Sequence, residues 1–179
     1  MPKYQNYPVD IYNDLKEMFH ASAEKYGDKT LFMEKVGGAY KNLIKDYAQN
    51  VDALGTELLA RGFGGKRLIV TGENCIAWVT AYMAVICGVG VVVPVDKEIP
   101  AEEIANIAKV SEASAVIYSK KSAEKIAGID DAVTRISFDE LPAMIAAGKE
   151  KLRAGDRSYL DAKIDPNVLA SLIFTSGTT

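Results

Sequence analysis

Apolar residues recur at helical spacing in the first third of the chain. The spacing predicts an amphipathic helix that stops at Gly27 and a second helix that stops at Gly62. Between them, residues 31–36 predict a short strand, and the pair Gly37-Gly38 predicts a hairpin turn. The apolar positions are Ile11, Leu15, Met18, Phe19, Ala23 and Tyr26 in the first helix, and Leu43, Tyr47, Val51, Leu54, Leu58 and Leu59 in the second.

The segment from Ile76 to Val95 carries no charged residue and is about long enough to cross a bilayer as one helix. Its second half argues against that interpretation, because Gly88, Gly90 and Pro94 interrupt a β-branched run. No cluster of Lys or Arg flanks the segment to orient an insertion. The pattern therefore favours a buried helix, a glycine turn and a buried strand.

Helices and strands alternate through the rest of the chain. Pro100 and two acids after it are typical of a helix start. The alternation predicts an α/β fold with a mainly parallel sheet flanked by helices. The predicted order is a strand at 67–71, a helix from Pro100, a strand at 115–118, a helix around 122–127, a strand at 133–138, a helix at 139–148, a charged surface connection at 149–165 and a last strand.

Composition and charge narrow the function classes. The chain has 179 residues, of which 49% are hydrophobic and 25% charged, which suits one globular domain. Its net charge of -3 is not accompanied by a basic stripe, so we expect no nucleic-acid partner. The two cysteines, Cys75 and Cys87, lack metal-ligand spacing and predict free thiols in a reducing, cytoplasmic environment. The polar N-terminus lacks the apolar stretch of a secretory signal, and any membrane association is expected to be at most peripheral.

The last seven residues join an apolar strand to a hydroxyl-rich loop. Thr175, Ser176, Thr178 and Thr179 supply hydroxyl donors, and Gly177 lets successive backbone N–H groups approach a ligand closely. Such groups are the parts of an anion-binding nest. Judged alone, the run could equally be an ordinary solvated loop.

This run resembles the first half of the phosphate-binding loop of the adenylate-forming (AMP-dependent synthetase/ligase) superfamily. In that superfamily the loop continues with Gly, a variable residue, Pro, Lys and Gly. The segments 71–74, 78–84 and 88–96 also match in order and spacing, and they look most like long-chain fatty-acyl-CoA synthetases. The resemblance implies that residues 1–179 are an N-terminal subdomain of an AMP-binding domain, truncated inside the phosphate loop.

The resemblance also implies a chemistry. A carboxylic acid, with a fatty acid as the expected substrate, would be adenylated by Mg²⁺-ATP, and the acyl group would pass to coenzyme A. The loop would hold the ATP phosphates through Thr175, Ser176, Gly177, Thr178 and Thr179. The superfamily's catalytic and Mg²⁺-binding residues correspond to positions beyond Thr179, so no catalytic residue or metal ligand is expected in this chain. The isolated chain is expected to be inactive, to need the rest of its polypeptide, and to self-associate through exposed sheet edges.

Three alternatives remain open at this point. The chain could be a non-catalytic α/β module for binding or oligomerisation, or part of a peptide-synthetase-type adenylation domain. It could also be an unrelated doubly wound nucleotide-binding domain, although no glycine fingerprint follows the first strand.

Other candidate sites have weaker signals. Gly62 to Arg67 suits a helix stop and turn better than a phosphate loop, and the Gly88-Val89-Gly90 run lacks the third glycine of a dinucleotide site. His20, the only histidine, has no identifiable partner and is expected at the surface or a boundary. Trp78 is expected in the core rather than in an acyl pocket. The adjacent acids Glu102 and Glu103 are expected to form a solvated first helical turn.

Overall fold

Five α-helices and six strands are present in the computed structural model, which describes residues 9–36, 39–42 and 47–175. A π-helical turn, Val85–Val89, follows α3, and two short 3-10 turns, Lys120–Ser122 and Phe138–Glu140, flank β6. The bounds are α1 Leu15–Tyr26, β1 Met33–Val36, β2 Ala39–Asn42, α2 Tyr47–Ala60, β3 Arg67–Thr71, α3 Ile76–Ala84, β4 Val91–Val95, α4 Ala101–Val110, β5 Ala115–Tyr118, β6 Thr134–Ser137 and α5 Leu141–Arg153.

The main sheet has four parallel strands in the order β4-β3-β5-β6. From β3 the chain first winds outward to β4 and then returns to place β5 and β6 on the other side of β3. Right-handed crossovers in both directions require helices on both faces of the sheet. This arrangement confirms the predicted α/β class with a parallel sheet. The predicted hairpin is also confirmed, because β1 pairs antiparallel with β2, while its turn residues Gly37 and Gly38 lie outside the described residues.

Alternate side chains of the parallel strands enter two separate cores, since successive residues of a strand point to opposite faces. On the first face, Leu68 and Val70 of β3 pack beneath α2, α3 and α5. On the second face, Ile69 of β3 and Val93 of β4 pack beneath α4, which contributes Ile104. The uncharged segment 76–95 is therefore a buried helix, turn and strand, as predicted, and it contributes side chains to both cores. No helix of the described residues is long and apolar enough to cross a membrane.

One helix contact and one helix end depend on glycine. Gly148 of α5 faces α2 so closely that a Cβ atom would overlap the backbone oxygen of Ala53. Gly62 ends α2 with φ +85, the N–H of Gly62 donates to Leu59 O at 2.9 Å and the N–H of Phe63 donates to Leu58 O at 3.2 Å. These two bonds form a Schellman motif, so the predicted helix stop at Gly62 is confirmed.

Four local predictions are wrong. The predicted helix at 122–127 is only a 3-10 turn at Lys120–Ser122 followed by turns, because such a short segment gains too few hydrogen bonds to offset helix nucleation. The first helix begins at Leu15 rather than near Ile11, because the side chain of Asp14 caps it by accepting from Glu17 N at 2.8 Å.

The predicted surface connection at 149–165 is wrong in two respects. Residues 149–153 continue α5 to Arg153, with Lys151 and Arg153 in the last turn, where the helix dipole favours cations. Beyond the helix, Tyr159 is fully buried in the first core. The predicted last strand is reduced to one parallel bridge between Ser171 and Val92.

Candidate functional site

The segment after Ala170 runs beside β4 and ends at the carboxyl edge of the sheet. Val92 N donates to Ala170 O at 3.1 Å, and Leu172 N donates to Val92 O at 2.9 Å. Leu172 and Phe174 pack into the second core, which fixes the face that this segment turns toward the sheet. The segment therefore lies as a fifth parallel element next to β4 and covers the edge of that strand. The described residues provide no further strand beside β6.

Thr175 is the one predicted phosphate-binding residue that the structure describes. It is exposed and follows directly on the segment that lies beside β4. In open α/β sheets, ligands bind outside the carboxyl ends of the strands. Ser176, Gly177, Thr178 and Thr179 lie outside the described residues, so the assignment of the whole run to ATP phosphates stays a prediction.

The switch point of the sheet lies between β3 and β5, where the winding direction reverses. Gly72 follows β3 with φ +144, and a Cβ there would lie 2.6 Å from the Cβ of Ser119 and 3.0 Å from the ring of Phe138. The end of β3 is therefore closed by packing. Thr71 Oγ1 is buried beside it and has no hydrogen-bond partner among the described residues.

A polar cluster that the sequence did not indicate lies at the same place. A hydrogen bond from the Ser119 hydroxyl lowers the pKa of Glu73, and the cations of Lys121 and Lys97 lower this pKa further. Lys121 Nζ lies 3.8 Å from Glu73 Oε1, and Ser119 Oγ lies 3.1 Å from Ser122 Oγ. The cluster joins the carboxyl ends of β3 and β5, which no local pattern in the sequence connects.

The weaker glycine candidates have packing roles. Gly65 continues the turn after α2, with φ +70, and its N–H donates to Val89 O at 2.7 Å. A Cβ at Gly90 would overlap the backbone oxygen of Lys66, and Gly88 has φ +155 and faces the ring of Tyr159. These positions join the amino ends of β3 and β4. This geometry agrees with the interpretation of Gly62 to Arg67 as a helix stop and turn, and it gives Gly88 and Gly90 a role in packing.

His20 does have a partner, which corrects the sequence analysis. Its Nε2 lies 2.9 Å from Asp52 Oδ1, so the pair links α1 to α2. The partners are far apart in sequence, and no local pattern could have paired them. Trp78 is half-buried at the margin of the first core and stacks on Tyr82 with ring centroids 5.3 Å apart. Glu102 and Glu103 are exposed in the first turn of α4, as predicted.

The described residues hold no group of three His, Cys, Asp or Glu side chains that could ligate a metal ion. They therefore do not fit a Mg²⁺ site by themselves. Cys75 and Cys87 are free thiols, with Cys87 buried and Cys75 half-buried.

These features define an α/β domain in which Thr175, the first residue of the candidate anion-binding run, lies at the carboxyl edge of the sheet. A sequence profile of the AMP-binding enzyme family matches residues 19–179. The chain belongs to this family of adenylate-forming ligases. The resemblance to the adenylate-forming superfamily that was stated from the sequence is confirmed.

The proteins to which the chain is similar include tyrocidine synthase 1, a fatty acyl-adenylate ligase and VinN. It is 27% identical to tyrocidine synthase 1 of Brevibacillus parabrevis over 92% of this chain and 14% of that protein. The crystal structure of fatty acyl-adenylate ligase from L. pneumophila, in complex with acyl adenylate and pyrophosphate, aligns with a TM-score of 0.73 at 16% identity, over 94% of this chain and 29% of that chain. VinN in complex with L-aspartate aligns with a TM-score of 0.69 at 20% identity, over 90% and 40% of the two chains. The chain thus spans between 14% and 40% of the length of each of these proteins, and the structural matches establish its fold as that of the α/β N-terminal region of adenylate-forming enzymes.

Proposed function

We propose that this chain forms the N-terminal portion of a longer ligase that adenylates a carboxylic acid with ATP. Membership of the AMP-binding enzyme family supports the reaction class. The observation that carries the proposal is the placement of Thr175, which enters the Thr-Ser-Gly-Thr-Thr run at the carboxyl edge of the parallel sheet.

The proposed reaction explains why neutral donors are needed. A carboxylate oxygen attacks the α-phosphorus of ATP and forms a new P–O bond, while the bond to the bridging oxygen of the β-phosphate breaks. Pyrophosphate leaves with its charge, and the acyl-adenylate remains. Hydroxyl and backbone N–H donors of Thr175, Ser176, Gly177, Thr178 and Thr179 stabilise that developing charge and, being uncharged, still release the product.

We further propose a fatty acid as substrate and coenzyme A as acyl acceptor. The segments 71–74 and 88–96, which resemble fatty-acyl-CoA synthetases, support this choice. A second candidate is amino-acid adenylation of the peptide-synthetase type, which the 27% identity to tyrocidine synthase 1 favours. Both candidates share the adenylation step and differ in the acid.

The test of adenylation is acid-dependent exchange of pyrophosphate into ATP by the full-length protein. Replacing Thr175 and Ser176 together with Ala should lower the exchange rate about 100-fold, since loss of one such donor typically lowers kcat by two to three orders of magnitude. The matched control is Thr134→Ala, because Thr134 is exposed at the amino end of β6, on the opposite edge of the sheet. Unchanged exchange in the double variant would remove these residues from the proposed site.

The choice of acid is tested by comparing fatty acids with amino acids in the same assay. We expect pyrophosphate exchange to depend on fatty acids. We also expect the free thiol of coenzyme A to be consumed as the acyl group is transferred to it. Exchange with amino acids alone would favour the peptide-synthetase alternative. A cytoplasmic location and self-association through the edge of β6 are further expectations, and size-exclusion chromatography of the 179-residue chain tests the second.

A further inference from the structure

Tyr159 lies at a point where four parts of the domain meet. Its side chain is fully buried, and its hydroxyl donates to the backbone oxygen of Ala84, the last residue of α3, at 3.1 Å. Its ring lies against Gly55 of α2, where a Cβ would overlap the ring, and against Gly88, where a Cβ would be 3.0 Å away. Two glycines on different elements therefore leave the space that this one ring fills.

Lys16 of α1 holds the backbone of the same segment. Its ammonium group donates to the carbonyl oxygen of Tyr159, to Leu160 O at 2.9 Å and to Ala162 O at 3.2 Å. Three acceptors match the three donors of an ammonium group. Lys16 Nζ also lies 5.0 Å from the centroid of the Tyr159 ring, a favourable position for a cation.

The charge of Lys16 is buried, and Lys16 is the one buried residue of α1. Burial lowers the pKa of the ammonium group, and the carboxylates of Asp52 and Asp14 oppose that change. A buried charge without partners would be strongly unfavourable, so the three carbonyl groups are needed to hold Lys16 in place.

The chain beyond Ala162 is poorly anchored until it reaches β4. Residues 165–169 are exposed, and the large side chains of Val168 and Leu169 are 61% and 53% exposed. The next fixed point is the pairing of Ala170 and Leu172 with Val92. Two anchors, one at Tyr159 and one at Val92, therefore determine where the chain enters the run that begins at Thr175.

We propose that Lys16 and Tyr159 are positioning residues for Thr175, the first residue of the proposed phosphate-binding run, a proposal that rests on the proposed adenylation function. They act through the segment 160–175 and do not contact the nucleotide. Loss of either group frees the upstream anchor, which weakens the pairing beside β4 and misplaces Thr175.

Amide hydrogen exchange of the 179-residue chain tests the positioning directly. In Lys16→Met and in Tyr159→Phe, hydrogen exchange at the Leu172 amide should accelerate about tenfold, because local opening of this segment becomes easier. The amides of β3 and β5 should accelerate less, because they exchange only through more global unfolding. Lys163→Met is the control, since Lys163 is an exposed lysine on the same segment. Acceleration at Leu172 no greater than at β3 and β5 would overturn the proposal. Tyr159→Phe removes a single oxygen and retains the ring that fills the space, so it provides the test if Lys16→Met fails to fold.

Kinetics of the full-length protein provide the second readout. Tyr159→Phe should raise the KM for ATP about fivefold in pyrophosphate exchange and leave the KM for the acid unchanged. Equal changes in both constants, or a fall in kcat alone, would contradict a role in placing the phosphate run. If the unmodified protein shows no acid-dependent exchange of pyrophosphate into ATP, the proposed function fails. The rate of amide hydrogen exchange at Leu172 still decides whether Lys16 and Tyr159 hold the segment in place.

Discussion

Helices α1 and α2 have similar apolar spacing in the sequence but attach to the domain in different ways. In α2, Val51, Leu54 and Leu58 are fully buried against the first core. In α1, Leu15 and Met18 remain 39% and 40% exposed, and the buried residue is Lys16. The attachment of α1 relies on the carbonyl groups around Lys16 and on the pair of His20 with Asp52, while Phe19 adds one partly buried apolar contact to Tyr47 of α2. Helical periodicity alone therefore does not reveal whether a helix is held by apolar burial or by polar contacts.

The largest expected effect is the difference in stability between truncating an apolar side chain of α2 and truncating one of α1. Leu54→Ala should lower the free energy of unfolding by about 3 kcal/mol, because it removes buried methyl groups and leaves a cavity. Met18→Ala should lower it by less than about 1 kcal/mol, because that side chain remains partly in water. Urea unfolding of both variants measures the difference. Equal losses would show that α1 is held by apolar burial after all.

The close contact of α2 with α5 provides a smaller effect. Gly148→Ala should lower the free energy of unfolding by about 2 kcal/mol, because the added Cβ would overlap the backbone of Ala53 and separate the helices. Gly128→Ala is the matched control, since no atom lies within 4 Å of a Cβ at that position. Thermal unfolding should show a clearly lower Tm for the first variant alone. A Gly148→Ala protein as stable as the Gly128→Ala protein would contradict the tight packing of α2 on α5.

The smallest effect is the pH dependence of stability that comes from the Cys87 thiol, which tests how well the apolar core beneath α2 excludes water. Burial raises the pKa of the Cys87 thiol, in the first core beneath α2, to about 12. In the unfolded chain the thiol ionises near pH 8.5. Between these values the folded state retains a proton that the unfolded state loses, so stability falls as pH rises. The stability associated with this group is fully present below pH 8.5.

The corresponding measurement is urea unfolding between pH 9 and pH 10. Cys87→Ala should remove a decline of about 1.4 kcal/mol per pH unit from the pH dependence of the free energy of unfolding. The same decline in the variant and the unmodified chain would show that the thiol is not buried from water.

Much of the fold could be predicted because it depends on local patterns. The strand 67–71 and the succession of α3, a glycine turn and β4 were predicted from periodicity and β-branched runs, and the structure agrees. The errors occur in segments whose structure depends on helix length or on packing against distant residues rather than on the local apolar pattern. Residues 122–127 lack the length for a helix, and residues 149–153 are charged yet helical because α5 packs on α2.

The candidate site was predicted only in part. The hydroxyl-rich run is visible in the sequence because its chemistry is contiguous, and Thr175 lies at the carboxyl edge of the sheet, where such a run is expected to bind ligands. The pairing of Glu73 with Lys121 and Ser119 was missed, because these groups come from the ends of two strands that are neighbours only in the sheet.

The sequence by itself determined the alternation of helices and strands, the helix stop at Gly62 and the family, because each depends on residues that are near one another in the chain. Only the tertiary structure decided which polar groups are buried and what they contact. Lys16 and Tyr159 are separated by 143 positions, yet they form the anchor of the segment that enters the phosphate run. Hydrogen bonding and burial depend on distance in space, and the packing of α1, α2 and α3 around one ring sets that distance.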